Sequence, residues 1–327
     1  MITYSFIGSD KNAGKTTVLN FVYRQLNHSK SDETDICITS IGINGESIDN
    51  YERKEKPTIQ VQKGSYFITA GEHLAGKAGN YITCCSFCGP GFLKTYVLGK
   101  ALLDFFLIIE GPNDKTGLIK LKQKLAIVLK NSICLIDGSI DRQFIGHPDV
   151  SDYILFSLLI TERREQQQKT ADLILALSLQ LCSVEQRVGI NQYKENESKS
   201  ILLAADGSLL YHGINIPFMD KELKQICHKN RKECCILYLN GAFGNSLHQF
   251  LAPMRKLDVV LDNFTLYQNI TTGVQQRRVF SPRLFLYHAV PVKKIFLKQE
   301  NWNSQFRPSV EVPVHNLFRD DPYEIGI

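Results

Sequence analysis

No apolar run in the chain approaches the roughly 20 residues that a membrane-spanning helix requires, so an integral helical membrane protein is not expected. The N-terminal stretch Met-Ile-Thr-Tyr-Ser-Phe-Ile lacks the basic region, the long apolar segment and the small-residue cleavage site of an export signal. Charge of one sign is also lacking. The 38 Lys and Arg face 33 Asp and Glu, and a net +5 spread over 327 residues gives no footprint for nucleic acid or an anionic membrane. Internal repeats, low-complexity tracts and an Asn-Lys-x-Asp guanine-reading motif are absent, and the last absence favours ATP over GTP for any nucleotide site. Cysteine is not scarce, but the nine residues are odd in number and scattered, which argues against a disulfide framework and for reduced thiols in the cytoplasm.

The one dense thiol group is Cys84, Cys85 and Cys88 in "ITCCSFCGPG", whose spacing suits zinc or an iron–sulfur cluster if a second half-site exists. Cys227, His228, Cys234 and Cys235 are the nearest candidates, and their spacing fits no standard pattern. Free thiols are therefore the expected account.

With 43% apolar residues, the chain can bury a sizeable core. Ile2 to Ile7 alternates like a strand, Thr16 to Leu26 has helical spacing, and Asp35 to Ile43 reads as a second strand. This βαβ unit implies a parallel sheet. Strand-length apolar runs recur at Ile59 to Val61, Tyr66 to Thr69, Phe105 to Ile109, Ser132 to Ile136, Tyr153 to Leu159, Cys235 to Leu239 and Leu257 to Leu261. Glu162 to Leu181 reads as a helix with an exposed charged face. Two apolar runs about Asp206-Gly207 read as a β-hairpin. The expected architecture is α/β, a P-loop NTPase-like and mostly parallel sheet flanked by helices, with a second α/β half continuing or packing on it. Residues 1–184 form the expected nucleotide-binding domain, the polar stretch 185–200 a linker or long loop, and residues 201–327 a C-terminal half of open role.

Between the first strand and helix lies "IGSDKNAGKTTV", Ile7 to Val18. A phosphate-binding loop reads Gly-x-x-x-x-Gly-Lys-[Ser/Thr]; its backbone amides and helix N-terminus cradle phosphates, its Lys reaches the terminal phosphates, and its hydroxyl holds Mg²⁺. Gly14-Lys15-Thr16 supplies the second half, while Ser9 stands at the first glycine position and Gly8 comes one residue early. The expected nucleotide-binding residues are Ser9, Asp10, Lys11, Asn12, Ala13, Gly14, Lys15, Thr16 and Thr17. Lys15 is also assigned to catalysis and Thr16 to the metal. The bland alternative is a turn and helix cap with no ligand.

Such a loop needs a carboxylate on a neighbouring strand end to orient magnesium. Glu110, Asp137, Asp206 and Asp262 all follow apolar runs. Asp137 is favoured for catalysis and metal binding, because it ends a buried-strand run and precedes Gly138. Glu110 is its main rival, Asp206 suits a hairpin turn, and Asp262 suits a strand-end cap. After the second strand, "TSIGINGESID" carries Glu46, assigned to aligning water or metal, and Asp49 as its alternate. Solvated loop acids are the plain alternative for both.

Together with the loop, "TSIGINGE", "GPND" (Gly111 to Asp114), "LIDGSIDR" (Leu135 to Arg142) and "HPDVSDYILFS" (His147 to Ser157) carry a resemblance. Over most of residues 1–160 the chain resembles the P-loop reactivase subunit associated with cobalamin-dependent lysine 5,6-aminomutase and ornithine 4,5-aminomutase. It departs at Asn44, where that pattern has an acid, at Ser157 to Ile160, where it has a small-residue turn, and at "CCSFCGPG". The resemblance implies ATP and Mg²⁺ as cofactors. It also implies ATP hydrolysis coupled to exchange of damaged cobalamin, with the aminomutase and a second ATPase subunit as partners. Asp141 and Arg142 would form a phosphate-sensing pair, with a surface ion pair as the plainer account. An ATP-dependent ligase or kinase resembling dethiobiotin synthetase is the alternative, with "YLNGAFGNSLHQF" (Tyr238 to Phe250) as its anion site. A nucleotide-holding module without turnover is a third.

Overall fold

The structure is a computed structural model, described here for residues 1–29, 33–44, 58–138, 143–195, 200–213, 225–226, 229, 234–252, 254, 256–267, 283–299 and 312–316. The chain is mixed α/β with a large, mostly parallel sheet flanked by helices. It divides into two compact units, one of Met1–Ile160, Val290–Trp302 and Val312–Ile327, the other of Thr161–Ala289 and Asn303–Glu311. Among the described residues no helix is long and apolar enough to cross a membrane.

In the first unit the strands are β1 (Ile2–Gly8), β2 (Asp35–Ser40), β3 (Gly42–Asn44), β4 (Gln60–Val61), β5 (Tyr66–Ala70), β6 (Tyr81–Phe87), β7 (Tyr96–Ala101), β8 (Phe105–Phe106), β9 (Ile109–Gly111), β10 (Ser132–Asp137) and β11 (Tyr153–Ile160). Two more, β17 (Val292–Gln299) and β18 (Val314–Asn316), come from the C-terminal part of the chain. Nine of them form one sheet in the order β18-β17-β11-β1-β10-β2-β5-β7-β6. It is parallel from β18 to β5 and closes with the antiparallel strands β7 and β6. Central strands of a parallel sheet are covered on both faces and so read as apolar runs. Accordingly Phe6, Ile36, Ile38, Leu135 and Leu155 are buried. Helix α1 (Lys15–Ser29) buries Val18, Leu19, Val22 and Tyr23 along one stripe against this core, which Phe296 of β17 joins. Full burial of each such side chain contributes roughly 1.5–3 kcal/mol relative to exposure. Helix α2 (Lys115–Val128) is capped by Asp114, whose Oδ1 accepts the Gly117 amide at 2.8 Å.

The second unit holds helices α3 (Arg164–Leu177) and α4 (Val184–Asn191), strands β12 (Ser200–Ala204), β13 (Leu209–Gly213), β14 (Cys234–Leu239), β15 (Asp258–Leu261) and β16 (Arg283–Leu286), and a short helix α5 (Asn245–Leu251). The sheet order is β13-β12-β14-β15-β16, with β14, β15 and β16 parallel and β12–β13 the expected hairpin. Tyr238, Val260, Ile201, Leu203 and Ile190 fill its core.

Three divisions differ from the sequence expectation. The stretch 185–200, expected as a linker, contains α4, because Ser183 and Gln186 form a reciprocal capping box that starts a helix within a polar sequence. The division between units falls at Ile160 rather than at 184. Beyond it α3 packs on the turn Phe264–Leu266, and β12 to β16 form a sheet of their own. The expected C-terminal half 201–327 is also split, since β17 and β18 return to the first sheet.

Candidate functional site

The site is built where β1 gives way to α1. In the parallel register Phe6 of β1 stands opposite Asp137 of β10, and Gly8 stands opposite Ser157 of β11. The carboxyl ends of three adjacent strands thus meet beneath residues 9–14, which is where open α/β sheets present their functional groups. To turn from strand to helix within six residues the backbone enters the left-handed region twice, at Asn12 (φ 63°) and Gly14 (φ 83°). Asparagine and glycine are the residues that tolerate this best. The Ala13 amide donates to the Asp10 carbonyl at 3.3 Å, and Val18 N donates to the Gly14 carbonyl at 2.9 Å as α1 begins.

Neighbouring strands fix the base of the loop. The Ser9 amide donates to the Ser157 carbonyl (2.8 Å), the Ser9 hydroxyl accepts from the Leu159 amide (2.9 Å), and the Ser157 hydroxyl donates to the Ala13 carbonyl. Serine in place of the usual first glycine therefore supplies an anchor. Ser157, one of the departures noted above, is part of the same clamp. From β17, the Lys298 ammonium donates to the Asn12 carbonyl at 2.9 Å.

Three side chains converge on Asp137, which is completely enclosed. The Lys15 ammonium lies 3.2 Å from Oδ1, and the Thr16 hydroxyl donates to Oδ2 at 3.1 Å. The Asn44 amide, from the end of β3, also donates to Oδ2 and lies 3.5 Å from the Thr16 hydroxyl. Oδ1 has no hydrogen bond beyond its ion pair with Lys15. Asp137 is held by its own main chain as well, because its carbonyl accepts the Ile41 amide at 2.8 Å and the Gly138 amide bonds Phe6 O at 3.0 Å. A Cβ on Gly138 would lie 2.9 Å from that Phe6 oxygen and 2.1 Å from the Ile145 side chain, so the close approach requires glycine.

Of the expected binding residues, Lys15 and Thr16 meet Asp137, Ser9 and Ala13 belong to the clamp, and Asn12 and Gly14 make the turn. Asp10 folds back on the loop, its Oδ1 accepting the Lys11 amide at 2.8 Å, and Thr17 is exposed on α1. Glu46, Asp49, Asp141, Arg142, Cys227 and His228 lie outside the described residues.

The rival acids are engaged elsewhere. Glu110 is buried against His73 Nε2 (2.7 Å) and Lys94 Nζ (2.9 Å), with Lys94 also 2.7 Å from Glu72. Donor atoms of Glu72, His73 and Glu110 are close enough together to hold a cation, but the Lys94 ammonium already supplies one. Glu110 and then Glu72 raise its pKa. Asp206 closes the β12–β13 turn, accepting the Ser208 amide and hydroxyl at 2.9 and 2.6 Å. Asp262 directly follows β15 in the second unit and accepts the Tyr238 hydroxyl (2.6 Å) and Lys194 Nζ (3.1 Å).

The cysteine trio lies along and just past the edge strand β6, and its thiols form no close donor group among the described residues. Burial pushes the Cys84 and Cys85 thiols up, away from thiolate character. The stretch Tyr238 to Phe250 runs from the end of β14 into the two-turn helix α5, which has no side-chain cap. Several residues that carry the resemblance have structural work: Asp114 caps α2, Ser151 bonds the Ser5 hydroxyl at 2.6 Å, and Asp152 accepts the Thr3 amide at 2.8 Å.

Sequence reasoning missed the parts played by Asn44, Ser157 and Lys298. The first two lay in segments already flagged as departures, whereas Lys298 sits in "VKKIFLKQ", whose three lysines hide a strand. No family model, no curated protein and no solved structure matches the chain.

Proposed function

We propose that the first unit is a P-loop nucleotide-binding domain that holds a nucleoside triphosphate, with ATP preferred, together with Mg²⁺. One observation carries the reading: Lys15 and Thr16, consecutive at the start of α1, both reach the enclosed carboxylate of Asp137. The left-handed turn at Asn12 and Gly14 and the N-terminus of a 15-residue helix add backbone amides and a favourable dipole for phosphate.

The donor set fits magnesium. Thr16 Oγ1 and the two Asp137 oxygens are hard oxygen ligands, and Oδ1 is a buried carboxylate oxygen without a hydrogen bond. When bound, magnesium supplies charge neutralisation for the phosphate oxygens. The chain's own residues do the rest. Lys15 exchanges its carboxylate partner for phosphate oxygens through charge-assisted hydrogen bonds, roughly twice as strong as neutral ones. Asn44 is a neutral neighbour where an acid would repel Asp137. The Ser9–Ser157 clamp keeps the loop from opening when the charge on it changes.

Hydrolysis is the proposed activity. Release of damaged cobalamin from an aminomutase, with a second ATPase subunit, is the proposed use of it, and that part rests on the short-motif resemblance alone. The test is titration of a fluorescent ribose-labelled ATP with and without Mg²⁺, followed by phosphate release measured alone and with a cobalamin-dependent aminomutase. Saturable, Mg²⁺-dependent binding that Lys15→Ala abolishes supports the nucleotide reading. Absence of binding by the intact protein to both ATP and GTP overturns it.

A further inference from the structure

The loop sequence itself supplies Lys11 and Lys15, and the fold brings a further lysine, Lys298, to the same loop from almost three hundred residues away. Strand β17 pairs in parallel with β11, and the register sets Ser157 beside Phe296 and Leu159 beside Lys298. These are the rungs that clamp the loop, through the Ser157 hydroxyl and the Leu159 amide. Side chains two residues apart on a strand share a face. Phe296 packs into the core that α1 covers, so Lys298, two residues on, rises from the same face at the carboxyl end, where its ammonium meets the Asn12 carbonyl.

The Lys15 and Lys298 ammoniums flank the loop. The sheet order β17-β11-β1-β10 puts Lys298 on one side of β1, and the Asp137 that holds Lys15 on the other. An ammonium has three donors. Lys298 spends one on Asn12, and among the described residues no carboxylate pairs with it. A single phosphate is too small to reach both sides of a loop that spans three strand ends, whereas a chain of phosphates is long enough.

Resting on the nucleotide reading above, we infer that Lys298 is a second phosphate-binding ammonium, and that it makes affinity depend on the length of the phosphate chain. Lys15 and the loop amides hold two phosphates, and Lys298 engages the third.

The test uses the full chain and displacement of fluorescent ribose-labelled ATP by inorganic tripolyphosphate and by pyrophosphate. These competitors differ only in chain length and have no base to set their direction. The intact protein is expected to prefer tripolyphosphate by about tenfold or more, the order of one charge-assisted contact. In Lys298→Met, which keeps the aliphatic stem, this preference falls to within about twofold, and Lys298→Arg keeps it. Equal weakening toward both competitors would make Lys298 only a clamp on Asn12 and overturn the inference, as would an unchanged preference. If Lys15→Ala loses the labelled ATP while Lys298→Met keeps its preference, the nucleotide reading survives and this inference alone fails. If the intact protein binds no labelled ATP, both fall.

Discussion

Each unit of this chain carries a buried aspartate just at or after the carboxyl end of a parallel strand, and each aspartate has a lysine about the same distance away. Lys15 is 3.2 Å from Asp137, and Lys194 is 3.1 Å from Asp262. The surroundings differ in kind. Lys194 is packed over the rings of Tyr287 (3.8 Å) and Tyr238 (4.8 Å), and the Tyr238 hydroxyl takes the same Asp262 oxygen. Burial and then the Asp262 charge push the Tyr238 phenol far up, so it stays a neutral donor. Around Asp137 there are instead a left-handed loop, a helix N-terminus and a hydroxyl. A strand-end acid paired with a lysine is therefore compatible with either a structural pin or a ligand site. What decides is whether the lysine is packed against aromatic rings or stands at the first turn of a helix that follows a left-handed loop.

Exchange of the two lysines should break the comparison most visibly. Lys15→Ala is expected to weaken Mg²⁺-nucleotide binding by roughly a hundredfold, the scale of two charge-assisted bonds, in a fluorescence titration. Lys194→Ala is expected to leave that titration unchanged and to destabilise the second unit by about 2 kcal/mol in calorimetric unfolding, a value reduced for the partial exposure of the pair. Loss of nucleotide binding in the Lys194 variant would erase the distinction.

Removal of the acid in the second unit sharpens the same point. Asp262→Ala leaves a lysine and a buried phenol without their acceptor and should cost about 3 kcal/mol, seen as a lower melting temperature with nucleotide affinity intact. Asn44→Asp tests the first unit with a smaller change. A second carboxylate beside Asp137 should cost roughly 1–3 kcal/mol in the absence of divalent cation. Millimolar Mg²⁺ should restore the melting temperature, and the Mg²⁺ needed for half-maximal nucleotide binding should fall.

The smallest effect concerns pH. Burial lowers the pKa of His248 on α5 below its ordinary 6.5, so the unfolded chain binds the proton more readily than the folded one. Stability of the second unit is complete above that value and declines as pH falls from 6.5 toward the depressed folded value. His248→Gln should flatten this decline in melting curves between neutral and mildly acid pH, without altering nucleotide binding.

The loop and Asp137 were legible in the sequence because their information is local: strand, loop and helix are contiguous, and the acid ends an uninterrupted apolar run. The parallel core was legible for the same reason. Strand β17 was not, since Lys293, Lys294 and Lys298 break its apolar pattern. Lys294 is nonetheless buried, and desolvation lowers its pKa, so its environment runs against what its charge suggests. Helix α4 was hidden because a capping box, rather than an apolar stripe, starts it. The hairpin of β6 and β7 is not legible in the sequence because β6, the edge strand, is mostly exposed and lacks a continuous apolar face. Asn44 and Ser157 could not be assigned, as their partners lie 93 and 144 positions away.

Because β17 follows Thr161–Ala289, the main segment of the second unit, the order of synthesis matters. A ribosome that has released residues 1–160 has delivered the loop, α1 and Asp137, yet β11 still has a bare hydrogen-bonding edge. Such an edge invites pairing with a foreign strand until translation has passed through more than a hundred further residues and supplied β17. The first unit thus reaches its finished form only after the main segment of the second has been made, and a fragment cut at Ile160 should be sticky where the intact chain is not.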